Sequence, residues 1–103
     1  MGAFVSLIEL RLFFAESHDL KGKRKELHSL KAGIRQRFGA SVAEVDHQDL
    51  WQRATLAAAL TGGSLPALEV AAASIERFLE ARFPDGVRVE RTLVSLEDLR
   101  GVG

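Results

Sequence analysis

The sequence predicts an α+β sandwich in which two helices cover one face of a four-stranded antiparallel sheet. Two observations carry that expectation. Apolar residues alternate with period two in four stretches, the first near the N-terminus, two flanking a turn at residues 46–49, and the last after residue 86. Between the first and second stretches, and between the third and fourth, they recur every three to four positions, the spacing of a helix buried along one side. The order is therefore strand, helix, strand, strand, helix, strand. Two right-handed crossovers joined by a hairpin place both helices on the same side of the sheet, which is the ferredoxin-like βαββαβ arrangement.

The first strand is expected from Phe4 to Phe14, with Phe4, Ser6, Ile8, Leu10, Leu12 and Phe14 on one face and Val5, Leu7, Glu9, Arg11 and Phe13 on the other. A strand apolar on one face and partly apolar on the other belongs at the centre of a sheet. Ser17 and Asp19 are alternative N-caps for a helix whose period runs through Leu20, Leu27, Leu30, Ile34 and Phe38, and Gly39 is placed to stop it. Gly22 and Gly33 each cost this helix about 1 kcal/mol relative to alanine, so packing must stabilise it.

A second strand, Ala40 to Val45, is expected to turn at Asp46, His47, Gln48 and Asp49 into a third, Trp51 to Leu60. Ala54, Leu56, Ala58 and Leu60 would face the core, and Trp51, Arg53, Thr55, Ala57 and Ala59 the other side. Gly62, Gly63 and Ser64 break the chain, and Ser64 with Pro66 begins the second helix. Its stripe is Leu68, Ala71, Ala72, Ile75, Phe78 and Leu79. Pro84, Asp85 and Gly86 end it before a last strand from Val87 to Leu96.

A chain of 103 residues, 47% apolar and 27% charged, fits one globular domain over residues 1–103. With no cysteine, disulfides, thiolate metal sites and cysteine nucleophiles are excluded. The apolar opening is interrupted by Glu9 and Arg11, which argues against a membrane span or secretory signal. Met1, Gly2 and Ser6 match the loose myristoylation pattern, but a strand starting at Phe4 would tether any lipid against the sheet. No membrane partner is expected.

Fourteen Lys and Arg balance fourteen Asp and Glu, so no global field draws the protein to an anion. The distribution is uneven. Lys21, Lys23, Arg24, Lys25, Lys31, Arg35 and Arg37 fall in the first helix against one acid, Glu26.

Two segments resemble a known family. Asp19-Leu20-Lys21-Gly22-Lys23-Arg24 and the fourteen residues Ser41-Val-Ala-Glu-Val-Asp-His-Gln-Asp-Leu-Trp-Gln-Arg-Ala54 look like the two signatures of the YlxP-like family, with Gly22 where that family usually carries Glu. The resemblance implies a ferredoxin-like fold in a cytoplasmic bacterial protein of no established activity. Members are often encoded beside ribosome-maturation and translation-initiation factors, which by association points towards RNA or the ribosome.

The site residues follow from these patterns. Lys21, Lys23, Arg24, Lys25, Lys31 and Arg35 are the candidate nucleic-acid contacts, since cations on a helix face neutralise phosphates without reading bases. Phe13 and Phe14 are not the aromatic pair of an RNA-recognition-motif sheet. On the open sheet face, Glu9, Arg11, Trp51, Arg53 and Thr55 are the alternative site, for a second copy of the chain or a small ligand.

Glu44, Asp46, His47 and Asp49 form the one cluster with acid/base or metal-ligating chemistry, although Asp in a turn is an ordinary backbone partner. His18 and His28 lack a second ligand at zinc-like spacing. Gly62-Gly63-Ser64 lacks the Lys-Ser/Thr continuation of a phosphate loop. The sequence thus points to a binding protein and not an enzyme, with no cofactor and no metal; its partners would be RNA or a ribosomal assembly, or its own homo-oligomer.

Overall fold

The computed structural model describes residues 2–16, 18–84 and 86–102. Met1, Ser17 and Asp85, each used in the sequence reading, lie outside the described residues. The elements are β1 (Phe4–Phe13), α1 (Leu20–Phe38), β2 (Ser41–Asp46), β3 (Arg53–Gly62), α2 (Leu65–Arg82), β4 (Val87–Ser95) and α3 (Leu96–Val102). All pairings are antiparallel and the sheet order is β2-β3-β1-β4, the ferredoxin-like topology expected from the alternation and helix periods.

β1 is central because both its edges are paired, to β3 and to β4, and its side chains segregate as a half-buried strand requires. Ser6, Ile8, Leu10, Leu12 and Phe14 are buried, and they join Ala54, Leu56, Ala58 and Leu60 of β3 in one core layer. Onto this layer α1 lays Leu27, Leu30 and Ile34, and α2 lays Leu68, Ala72, Ile75 and Leu79. The phenyl rings of Phe14 and Phe83 close one end edge-to-face, with centroids 5.2 Å apart.

The helix ends are fixed by local chemistry. Asp19 caps α1, its carboxylate accepting the Gly22 N–H at 2.7 Å, and the Ser64 hydroxyl accepts the Ala67 N–H at the start of α2. Gly39 ends α1 at φ 65°, its N–H donating to the Arg35 carbonyl at 3.0 Å. The mid-helix Gly33 has a packing reason, because a Cβ there would come within 3.1 Å of the Phe78 ring on α2.

Strand ends shift by one or two residues from expectation, with β1 ending at Phe13, β2 spanning Ser41–Asp46 and β3 running through the expected breaker Gly62, and two further shifts change what lies at the sheet's edges. β3 begins at Arg53, which leaves Trp51 in the bend before it, 46% exposed. The last strand stops at Ser95, and the chain continues as α3. Ser95-Leu96-Glu97-Asp98 carries the signal, a Ser cap with acids in the first turn, and the Asp98 N–H faces the Ser95 hydroxyl at 3.5 Å. The Leu96 N–H also donates to the Ala3 carbonyl at 2.9 Å, tying α3 to the start of β1.

No neighbouring atom lies within 4 Å of a Cβ built at Gly39, so the cost of Gly39→Ala is the left-handed backbone alone. Urea denaturation is expected to show a loss of about 1 kcal/mol with an unchanged m-value. An unaltered midpoint would mean that the helix end relaxes away from this conformation.

Candidate functional site

The basic helix is not uniformly a solvent face. Lys23 has no solvent exposure, although its neighbours Lys21, Gly22, Arg24 and Lys25 are all exposed. It lies four residues before Leu27 and seven before Leu30, on the stripe that α1 turns towards the sheet. Its Nζ donates to the carbonyls of His47, at 2.7 Å, and Leu50, while the Gln48 carbonyl lies at 3.4 Å and the Glu44 Oε2 at 3.6 Å. An unpartnered buried ammonium would be prohibitively costly; this one sits in a cage of backbone oxygens with a counter-ion. Lys23 is therefore removed from the phosphate-contacting set, because its ammonium is spent inside the protein.

The same cage explains the turn. His47 takes a left-handed φ of 63° and its carbonyl accepts the Leu50 N–H at 3.2 Å, so the tight turn 47–50 aims its carbonyls at Lys23. Holding the chain over α1 delays pairing until Arg53, which is why Trp51 does not enter β3. On the imidazole side, His47 Nδ1 lies 2.9 Å from the Thr55 hydroxyl. Thr55, expected on the open face, is buried under this contact with 5% of its surface exposed.

Glu44, Asp46, His47 and Asp49 do not converge. Glu44 pairs with Leu56 and Asp46 with Thr55, so Val45 is a β-bulge that displaces the alternation by one residue. Glu44, in register with the buried Val42, points to the helix side, towards Lys23, and the bulge turns Asp46 to the open side. Its carboxylate accepts the His47 N–H at 2.8 Å, and Asp49 is exposed. Among the described residues no three His, Asp or Glu side chains are grouped to hold a metal ion. Glu44 Oε2 is buried without a hydrogen-bond donor among them, which leaves the Lys23 charge as its compensation.

On α1, Lys21, Arg24, Lys25 and Arg35 are exposed and Lys31 is half-buried; the Arg35 guanidinium donates to the Val42 carbonyl of β2 at 2.9 Å. On the open sheet face, Arg11 donates to the Glu9 carboxylate at 2.8 Å, and the Arg53 guanidinium lies over the Phe13 ring, 5.6 Å from its centroid. Arg88 of β4 lies directly opposite Arg11 on this face. Nothing in the sequence marks Arg88, since its position beside Arg11 depends on the β1–β4 register.

The two segments that carried the family resemblance thus meet in space, Lys23 of one being caged by Glu44, His47, Gln48 and Leu50 of the other. The model of a family described as "Protein of unknown function (DUF503)" matches residues 5–92. The chain belongs to this family. The "Uncharacterized protein YlxP" of Bacillus subtilis (strain 168) is 26% identical over 93 residues, covering 90% of this chain and 97% of the relative. A solved structure, "De novo designed protein Foldit4", superposes with a TM-score of 0.58 at 12% identity over 89% of this chain and 96% of its own, a likeness of fold.

The family match takes in β1 to β3, both long helices and most of β4, and stops short of α3. Among the described residues no helix is long and apolar enough to cross a membrane.

Replacing Lys23 with Met keeps the stem but strands the Glu44 carboxylate and two strongly bonded carbonyls. Lys23→Met is expected to destabilise the protein by about 3 kcal/mol in urea denaturation, with part of the loss restored by Glu44→Leu in the same chain. A loss below about 0.5 kcal/mol would show that the ammonium contributes nothing net.

Proposed function

We propose that the protein is a non-enzymatic binding protein that associates with RNA, free or in a ribosomal assembly, through the outer face of α1. The observation that carries this is the exposed row of Lys21, Arg24 and Lys25, extended by Lys31 and Arg35 and opposed by the single acid Glu26. From Lys21 to Arg35 the row covers about 21 Å of helix at 1.5 Å per residue, long enough to follow several phosphates of one strand. The cations need no precise geometry for this, since phosphate neutralisation releases counterions whatever the base sequence. The family's association with ribosome-maturation and translation genes points the same way. The protein is read as cytoplasmic on the same ground.

The test leaves Lys23 untouched, because its loss would unfold the hairpin anchor. Lys21→Glu, Arg24→Glu and Lys25→Glu are combined in one variant and titrated with single-stranded RNA at several salt concentrations. Affinity is expected to fall at least tenfold at physiological salt, and the slope of log K against log salt to become shallower by about 2. Equal affinity of the variant and the parent overturns the proposal.

A second reading rests on the apolar end of the open face. Leu7 is 47% exposed and is flanked by Ala59 opposite it on β3, with Val5 and Val94 paired one row further along. This shallow surface of small and apolar side chains suits a second copy of the chain packing face to face. Sedimentation at micromolar concentration is expected to give the mass of a dimer, and Leu7→Asp the mass of a monomer. A parent protein that is already monomeric removes this reading.

A further inference from the structure

The other end of the open face carries a different chemistry. Arg11 and Arg88 are directly opposed across the β1–β4 pair, and Arg53 is opposed to Phe13, one same-face step along β1 from Arg11. With strands about 4.8 Å apart and same-face residues about 6.8 Å apart, three guanidinium groups originate within reach of one small anion. They border an open cavity of ≈ 580 Å³ that Phe13 and Gly86 also line.

Like charges directly opposed on a sheet are destabilising, and acids commonly relieve them. Here the relief is incomplete. Glu9 engages Arg11 through one oxygen, whereas the ion pairs of the described residues include neither Arg53 nor Arg88. Arg53 is held instead over the Phe13 ring, a contact that orients the guanidinium and leaves its charge unneutralised. Three cations, one positioned by an aromatic ring and a second by a carboxylate, border a cavity that no acid of the described residues lines, Glu9 and Glu90 standing one same-face step away.

We propose that this basic end of the open sheet face is a binding site for a phosphoryl group, held by Arg11, Arg53 and Arg88. Arginine suits it because each planar guanidinium offers paired donors that match two oxygens of a phosphate. The site is independent of α1 and stands whether or not the helix binds RNA.

The experiment titrates the intact protein with pyrophosphate and, separately, with adenosine monophosphate at physiological salt, following heat of binding and the unfolding temperature. Saturable binding of either probe with a rise in Tm is expected. Tighter binding of the nucleotide assigns the phosphoryl group to a nucleotide, and tighter binding of pyrophosphate to an inorganic source. Arg53→Gln and Arg88→Gln are each expected to weaken binding at least tenfold, while the Lys21, Arg24 and Lys25 charge-reversal variant binds as the parent does. Without ligand, Arg88→Gln is expected to leave Tm unchanged or raise it, because a repulsion is removed. No saturation by either probe up to about 10 mM overturns the proposal. So does equal weakening by the α1 variant, which would mark diffuse attraction, or a ligand-free fall in the Tm of Arg88→Gln, which would give Arg88 a structural role.

Discussion

A single buried ammonium sets the geometry around which half of this protein is arranged. Lys23 can be dry because three carbonyls of the β2–β3 connection and the Glu44 carboxylate stand where water would have been. Those oxygens are in place because His47 accepts a left-handed backbone and Val45 bulges out of β2. Alternation with the buried Val42 sets Glu44 on the helix side, and the bulge turns Asp46 away from it. The bend that follows holds Trp51 outside the sheet and starts β3 at Arg53. Helix phase, turn conformation, strand register and the dispersal of the acidic residues are thus one constraint seen from four sides.

The strands and the long helices were legible because each is written in a period that packing enforces. Every second residue from Ser6 to Leu12 of β1, and Phe14 just beyond its end, is buried, and Leu68, Ile75 and Leu79 of α2 fall on the stripe their spacing implies. The caps at Asp19, Ser64 and Gly39 were legible because single residues supply them. What escaped the sequence depends on partners distant in the chain. Lys23 reads as one more cation in a basic run until the carbonyls of residues 47–50 are seen around it, and backbone oxygens leave no mark in a sequence. The bulge at Val45 has no residue type of its own, so nothing in the sequence separated Glu44 from the turn acids Asp46 and Asp49 that follow it. The missed helix α3 was written in Ser95, Glu97 and Asp98, but the alternation of β4 masked it by running on into Leu96.

Removing Lys23 from the basic face refines the functional picture without reversing it. On a chain of zero formal net charge, cations gather in two places that do not overlap, the outer side of α1 and the Phe13 end of the open sheet. The first is an extended row suited to a polymer, the second a compact group suited to a small anion. Between them lies the core, so occupancy of one leaves the other open to solvent. The turn cluster, by contrast, is accounted for by the fold: Glu44 compensates Lys23, and His47 covers Thr55.

The Lys23 cage is built chiefly from main-chain oxygens, and every residue type supplies those. Drift at positions 48 and 49 can therefore change the outward chemistry of the hairpin tip, its charge or the company it gives Trp51, while the lock beneath stays intact. Insertion or deletion of one residue between Val45 and Gln52 would instead rotate the carbonyls off the ammonium. The connection is free to vary in composition and held fixed in length.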